Sequence, residues 1–84
     1  MSSVYVIKSL RTGKRYVGKT SKKVSERIIE HNQGKSPFTR NNRPFILIYY
    51  ENNYCNQCVG SREKFLKSGK GRKLLDLIEA EKGF

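Results

Sequence analysis

The sequence contains few of the residues on which several common catalytic and metal sites depend. It has one histidine, two cysteines and seven acidic residues among its 84 residues. A single histidine excludes, within one chain, both a two-histidine acid–base pair of the ribonuclease type and a histidine-rich zinc finger. The seven acids form no evident group of three or four, which argues against a two-metal hydrolytic site.

Long apolar runs and glycine-rich phosphate loops are also absent. No apolar stretch is long enough to span a bilayer, and Lys8 interrupts the short apolar stretch that a signal peptide would need. No Walker lysine follows a glycine-rich loop, so no nucleotide site is predicted. We therefore expect a cytoplasmic protein with reduced thiols and no membrane association.

Positive charge is in large excess. Eighteen lysines and arginines face seven acids, which gives a formal net charge of +11, and the basic residues are spread along the whole chain. This balance predicts an anionic partner, with nucleic acid favoured. A membrane surface is the weaker alternative, because no long amphipathic helix with aromatic anchors is apparent. A chain of this length, taken as one domain over residues 1–84, has a thin core and favours an open surface site.

Hydrophobic periodicity and turn residues divide the chain into six elements. Their predicted order, β-β-α-β-α-α, is typical of a small α+β domain in which helices flank a three-stranded antiparallel sheet. The predicted strands are 4–10, 15–18 and 45–50, and the predicted helices run from a cap at Thr20 or Ser21 to Gly34, from 56 to 67 and from 72 to 82. The run 45–50 is almost entirely apolar, so we expect it to be central or well covered and to break at 52–54.

Glu63 occupies an unusual position for an acid. It follows Val59 by four residues and precedes Leu66 by three, which places it on or beside the inward stripe of its helix. A carboxylate there is costly unless it is paired or bound to a metal. Position alone leaves both possibilities open.

Four other candidate residues have ordinary explanations when each is taken alone. Arg27 and His31 share one helix face, and Arg27 could bind a phosphate or form an ion pair with a nearby glutamate. His31 could be a helix-end histidine favoured by the helix dipole. Tyr5 and Tyr16 could be cross-strand aromatic residues of the predicted hairpin.

Together, however, these residues resemble the GIY-YIG nuclease superfamily, and most closely its small single-domain members. The resemblance covers residues from about 4 to 75. It rests on the order and spacing of Ser3-Val4-Tyr5, Tyr16-Val17-Gly18, Lys19-Thr20, Arg27, Glu30-His31-Asn32, Thr39, Arg62-Glu63-Lys64 and Lys67. The sequence departs from the family pattern in two places: Ser3 stands where the family has the first glycine, and the stretch 52–58 lacks the family's usual sequence before the helix.

The resemblance implies a metal-dependent endonuclease that hydrolyses DNA phosphodiester bonds to 5′-phosphate and 3′-hydroxyl ends. Glu63 would hold a single Mg²⁺ or Mn²⁺, and Arg27 would neutralise charge on the phosphoryl oxygens. Tyr16 would be the general base, Tyr5 would position the attacking water, and His31 would bond a tyrosine hydroxyl or relay its proton. Which of these three residues is the base stays open.

The resemblance also extends to the predicted partner. Lys19, Thr39, Arg40 and Lys67 would contact the nucleic-acid backbone. DNA is the predicted substrate, with RNA left open, and the oligomeric state, including a dimer, is not determined by the sequence. The competing interpretation is a catalytically inactive nucleic-acid-binding module of the same fold. Its basic surface would be aided by the stacking aromatics Phe38, Tyr49, Tyr50 and Tyr54.

The segment Cys55-Asn56-Gln57-Cys58 raises one further possibility. A structural zinc site needs four ligands, and the sequence has no second cysteine pair. A thioredoxin-type site needs a βαβ setting, which the predicted element order lacks. We therefore expect both cysteines to pack as small apolar residues where the second helix starts.

Overall fold

The computed structural model describes residues 2–37 and 39–82, so Phe38, one of the proposed stacking residues, lies outside the described residues. The strands are β1 (Ser2–Ser9), β2 (Arg15–Thr20) and β3 (Phe45–Tyr54), and the α-helices are α1 (Val24–Asn32), α2 (Asn56–Lys67) and α3 (Gly69–Lys82). A short 3-10 helix, Arg40–Asn42, precedes β3. The predicted α+β class and the predicted order of elements are both confirmed.

β1 is the central strand of the sheet. The strand order is β2-β1-β3, and β1 pairs antiparallel with both neighbours. Its side chains are buried from Ser2 to Ile7, as expected for a strand covered on both faces. The run 45–50 was expected to be central or well covered. It is not central, because β3 lies at an edge of the sheet, and its covering is incomplete: Phe45 and Ile48 are buried, whereas half of Tyr50 is exposed.

β3 is also longer than the sequence suggested. It continues through Tyr54, so the predicted break at Asn52 is wrong. The register of its pairing with β1 shifts between Val4 and Ser2, which lets the two strands stay paired past that point. The Ser3 hydroxyl donates a hydrogen bond of 2.7 Å to Asn52 Oδ1, and this contact holds the asparagine in the strand.

The alternation of side chains along the strands creates two separate apolar clusters. On one face, Tyr5 and Ile7 of β1 pack with Phe45 and with Val24 of α1. The cluster on the other face joins the sheet to α2 and α3 through Val4, Val6, Ile48, Val59, Leu66 and Leu75. The sheet is therefore covered by α1 on one face and by the two later helices on the other.

The start of α1 differs from the prediction, and its end agrees with it. The helix begins at Val24 after the N-cap residue Lys23, which makes no side-chain capping bond, so the predicted cap is wrong. Thr20 instead ends β2, and its hydroxyl accepts the Lys22 N–H at 3.0 Å in the connecting turn. Gly34 follows the helix with φ +80°, the left-handed conformation that commonly ends helices.

α2 has the predicted bounds, and α3 begins three residues earlier than predicted. Only Ser68 separates the two helices, and its hydroxyl accepts the Gly71 N–H at 3.3 Å. A Cβ atom at Gly71 would collide with the backbone of Phe65 and Leu66, so the glycine permits this close packing. No helix in the described ranges is long and apolar enough to cross a membrane.

Candidate active site

An open cleft of about 940 Å³ lies beside the edge strand β2. Its lining contains all five residues predicted to be catalytic, which are Tyr5, Tyr16, Arg27, His31 and Glu63. Three of the four predicted nucleic-acid contacts, Lys19, Thr39 and Lys67, line it as well. The sheet and the two helices that carry these residues thus bring together side chains that are far apart in the sequence.

The cleft joins the two faces of the sheet around the edge of β2. Tyr5 and Tyr16 lie on the α1 face, because Tyr5 is paired with Gly18 and Tyr16 with Ile7. Glu63 belongs to α2, which covers the opposite face. Gly18 has no side chain to block the passage between them, so the Tyr5 phenol extends across it toward the edge. The carboxylate and the two phenols therefore line the same cleft at the rim of the sheet, although the phenols lie on one face and α2 covers the other.

Tyr5, His31 and Thr39 form a buried chain of hydrogen bonds. The Tyr5 hydroxyl lies 2.8 Å from His31 Nε2, and the Thr39 hydroxyl lies 2.6 Å from His31 Nδ1. The three residues are 3%, 4% and 2% exposed, respectively. Burial lowers the pKa of His31, and the nearby Arg27 charge lowers it further. A neutral ring has one N–H donor and one acceptor, so the two bonds must run in the same direction along the chain.

Arg27 stands between Tyr5 and Glu30. Its guanidinium is 3.4 Å from Glu30 Oε1, so the nearby glutamate with which it forms an ion pair is Glu30. Glu30 also binds Lys22 at 3.0 Å. Burial raises the pKa of Tyr5, and the neighbouring Arg27 only partly offsets that effect. The pKa of Glu30 is lowered, chiefly by Lys22. With five N–H donors, Arg27 can keep this carboxylate contact and still bind a phosphate in the cleft.

The Tyr16 hydroxyl has a partner that the sequence did not reveal. Asn42 Nδ2 donates a hydrogen bond of 2.7 Å to it, and the Tyr16 ring packs edge-on against Phe45 with centroids 5.4 Å apart. Asn42 is held in turn by Ser9, whose hydroxyl donates to the Asn42 carbonyl at 2.6 Å. The only signal in the sequence was a polar segment before β3, and nothing in its spacing pointed to the hairpin.

Glu63 is partly buried in the cleft, with 19% of its side chain exposed. Lys67 Nζ lies 3.7 Å from Glu63 Oε2, which is longer than a hydrogen bond. The described residues contain no group of three or more His, Cys, Asp or Glu that could hold a metal. The site could therefore supply one carboxylate ligand. That fits a cation such as Mg²⁺, which keeps several waters and binds through one or two carboxylates together with phosphate oxygens.

The four residues predicted to contact nucleic acid differ in their exposure and in their distance from the cleft. Lys19 and Lys67 are exposed at the cleft, whereas Thr39 is buried and bonded to His31. Arg40 does not line the cleft; it borders a separate depression, and its Nε donates to the Gly34 carbonyl at 3.1 Å. Lys14 and Arg72 do line the cleft, although nothing in the sequence indicated a role for them. Arg72 follows the glycines at the start of α3, and only the packing of α3 on α2 brings it there.

The two cysteines are exposed, so the expectation that they would pack as buried apolar residues is wrong. Cys55 is the N-cap of α2, outside the helical turns, and its Sγ accepts the Cys58 N–H at 3.2 Å. Cys58 is adjacent to Val59 in the helix, which rotates it by about 100° from the buried stripe. Neither residue lines the cleft.

A basic cleft that gathers phenols, a guanidinium and one carboxylate at the rim of a small α+β sheet is suited to phosphodiester chemistry. The chain matches the family model for the GIY-YIG catalytic domain over residues 1–75. The protein therefore belongs to the GIY-YIG family, and its fold is of the nuclease type. Comparison with curated proteins gave no match, and comparison with solved structures gave none either.

Proposed function

We propose that this protein is a metal-dependent endonuclease that hydrolyses DNA phosphodiester bonds. The observation that carries the proposal is the single cleft lined by Tyr5, Tyr16, Arg27, His31 and Glu63. These residues come from two strands and from helices on opposite faces of the sheet. A fold that served only to bind DNA would have no need to gather them at one edge.

Glu63 would hold one Mg²⁺ or Mn²⁺ at the rim of the sheet, beside the phenols. When bound, the cation would supply Lewis-acid stabilisation of negative charge on the phosphate and leaving oxygens. Arg27 would bind the non-bridging oxygens of the scissile phosphate and neutralise the charge that increases on them during attack. Its contact with Glu30 would orient the guanidinium for this task.

Tyr16 is the residue that we assign as general base. A tyrosine that acts as the base accepts a proton from the attacking water at its own phenol oxygen. Hydrogen-bond donors or cations must therefore lie near that oxygen. Asn42 donates a hydrogen bond to that oxygen, and Lys19 and Arg27 line the same cleft. Tyr5 is the weaker candidate because burial raises its pKa.

Tyr5 and His31 would position the attacking water. In the arrangement that we favour, the Tyr5 hydroxyl donates to His31 Nε2, and the His31 Nδ1–H donates to Thr39. The Tyr5 oxygen, which Arg27 also approaches, then has a lone pair for a water in the cleft. Thr39 would thereby orient the histidine. This role takes the place of the contact with the nucleic-acid backbone that the sequence predicted for Thr39.

The substrate backbone would follow the exposed cations of the cleft. Lys19 and Lys67, which line the cleft, would make the predicted backbone contacts, and Lys14 and Arg72 would add to them. Arg40 lies outside the cleft, so it would meet only nucleic acid that extends beyond the site.

The test is cleavage by the purified protein. Single-stranded, duplex, nicked and branched DNA, together with an RNA duplex, are incubated in Mg²⁺, in Mn²⁺ and in EDTA. We expect DNA cleavage in either metal and none in EDTA, and the products should be resealed by a DNA ligase that requires 5′-phosphate and 3′-hydroxyl ends. Binding without cleavage in both metals would favour the inactive binding module, and cleavage confined to RNA would correct the substrate.

A further inference from the structure

The two thiols at the start of α2 belong to no part of the proposed nuclease site. Cys55 and Cys58 are both exposed, and neither lines the cleft. The residues of α2 that do line it come later in the helix and begin at Glu63. Any chemistry of the thiols can therefore be measured separately from cleavage.

The backbone holds the thiols close together. Cys55 and Cys58 are the first and fourth residues of the turn that opens α2, and the Val59 N–H bonds the Cys55 carbonyl at 3.0 Å. The Cys58 N–H bonds Cys55 Sγ, which turns that sulfur back over the first helical turn. With a rise of 1.5 Å per residue and 3.6 residues per turn, helix geometry places the Cα atoms of residues three apart about 5–6 Å from each other. That is within reach of the separations of about 4.4–6.8 Å that disulfides use.

We propose that Cys55 and Cys58 form a reversible dithiol–disulfide site that is oxidised by hydroperoxides. The Cys55 thiol loses its proton, the thiolate attacks one oxygen of hydrogen peroxide, and the O–O bond breaks to give the sulfenic acid of Cys55. The departing hydroxide takes up the proton from the thiol and leaves as water. Cys58 then loses its thiol proton and attacks the Cys55 sulfur, so that the S–S bond forms and the S–O bond breaks. The departing hydroxide takes up the proton as a second water. In sum, two thiols and one peroxide give one disulfide and two waters.

The surroundings of the two sulfurs make their roles unequal. Hydrogen bonding with Cys58, through both its thiol and its backbone N–H, lowers the pKa of the Cys55 thiol, while the contact between the two thiols raises the pKa of the Cys58 thiol. A sulfur at a helix N-terminus is also favoured as the thiolate. Cys55 is therefore the attacking residue, and Cys58 is the residue that resolves the sulfenic acid.

The experiment uses the reduced full chain. It is treated with hydrogen peroxide at a one-to-one ratio, alkylated with maleimide and weighed by intact mass spectrometry. We expect a monomer that has lost two hydrogens and takes up no maleimide, and that recovers two reactive thiols after dithiothreitol. In a second measurement, limiting iodoacetamide near neutral pH should label Cys55 several-fold faster than Cys58, as read by peptide mapping.

The single variants provide matched controls. Cys58→Ser keeps the backbone N–H and a hydroxyl, so it should accumulate a sulfenic acid at Cys55 that dimedone traps, with no disulfide inside one chain. Cys55→Ser should react more slowly with peroxide. The inference is wrong if the treated protein still takes up two maleimides, if its disulfides join different chains, or if Cys58 is labelled as fast as Cys55. Bound zinc that shields both thiols would also overturn it.

Discussion

The Tyr5 phenol lies across Gly18, its partner in the neighbouring strand, so closely that a Cβ atom at residue 18 would stand 2.5 Å from the Tyr5 hydroxyl oxygen. This separation is shorter than any ordinary contact of a Cβ atom. The phenol can therefore reach the edge of the sheet only because residue 18 is glycine. The same contact explains why a glycine follows the second tyrosine by two residues in this chain.

Replacing Gly18 by alanine should displace the Tyr5 hydroxyl and slow cleavage. A shift of about 1 Å in a positioning group can cost on the order of 10²-fold in rate. The cleavage rate at saturating DNA and the DNA dissociation constant should both be measured, and only the rate should change markedly. Gly69→Ala is the control, because a Cβ there meets nothing within 4 Å. A Gly18→Ala protein that cuts at the wild-type rate would contradict the proposed role of Tyr5.

Thr39 should be required for the orientation of His31. Thr39→Val preserves the shape of the side chain but removes the hydroxyl from His31 Nδ1, which leaves a buried ring nitrogen without its partner. The expected cost is about 1–3 kcal/mol in the free energy of unfolding. Thr39→Ser keeps the hydroxyl and should therefore keep most of the wild-type free energy of unfolding.

The ring nitrogens of His31 report on the same contact. His31 is the only histidine in the sequence, so its ¹⁵N signals are free of overlap. They should show a single neutral tautomer, with Nδ1 protonated, in the wild-type and Thr39→Ser proteins. A mixture of tautomers should appear in Thr39→Val. Identical spectra and stability in all three proteins would show that the threonine does not hold the ring.

The folded state should lose stability as the pH falls below about 6.5, the unperturbed histidine value. Because burial lowers the pKa of His31 in the folded protein, the unfolded chain takes up a proton first. The free energy of unfolding therefore decreases as the pH falls toward the folded-state pKa and becomes level below it. Glu30 has a lowered pKa in the folded protein, so its carboxylate stabilises the fold at neutral pH. That stabilisation is lost in a separate, more acidic range, where the carboxylate becomes protonated.

Urea denaturation between pH 8 and pH 5.5 measures this effect. The wild-type protein should become less stable across that interval, whereas His31→Gln should lack that decline, whatever its absolute stability. Parallel pH profiles for the two proteins would mean that His31 is not held neutral by its surroundings.

DNA binding should depend on salt through the cations of the cleft. Each phosphate contact contributes about 0.9 to the slope of log K against log salt for duplex DNA. Lys67→Ala should therefore reduce the slope by roughly that amount. Lys64→Ala, an exposed residue of the same helix that does not line the cleft, should leave the slope unchanged. Equal effects of the two substitutions would move the DNA path away from the cleft.

The elements of the fold can be predicted from the sequence, whereas the position of each strand in the sheet cannot. Alternation and turn residues located all six major elements, because each pattern depends on local geometry. The central strand was misplaced, because the apolar run 45–50 resembles a strand buried on both faces. Position in a sheet depends on which strands pair. β1 forms the predicted local hairpin with β2, and it becomes central because its other edge pairs with β3, which is distant in the sequence.

The residues of the cleft also fall into those that the sequence pattern indicates and those that only tertiary packing brings there. Five catalytic candidates were found because their order and spacing resemble those of a known family. Asn42 and Arg72 were missed because a loop and a helix–helix contact bring them to the cleft, and neither leaves a periodic signal. Thr39 was placed correctly in the neighbourhood of the site, but its burial against His31 could not be read from the polar segment around it. Burial of a polar residue in a loop depends on tertiary packing.

The most direct test of the central claim is cleavage by Glu63→Gln. This substitution preserves the size of the side chain but removes the charge that would hold the cation, so we expect cleavage in Mg²⁺ to fall by on the order of 10²-fold or more, with DNA binding retained. Glu81→Gln, an exposed acid of α3 outside the cleft, is the matched control and should cut normally. Full cutting by Glu63→Gln would contradict a nuclease site built around that carboxylate.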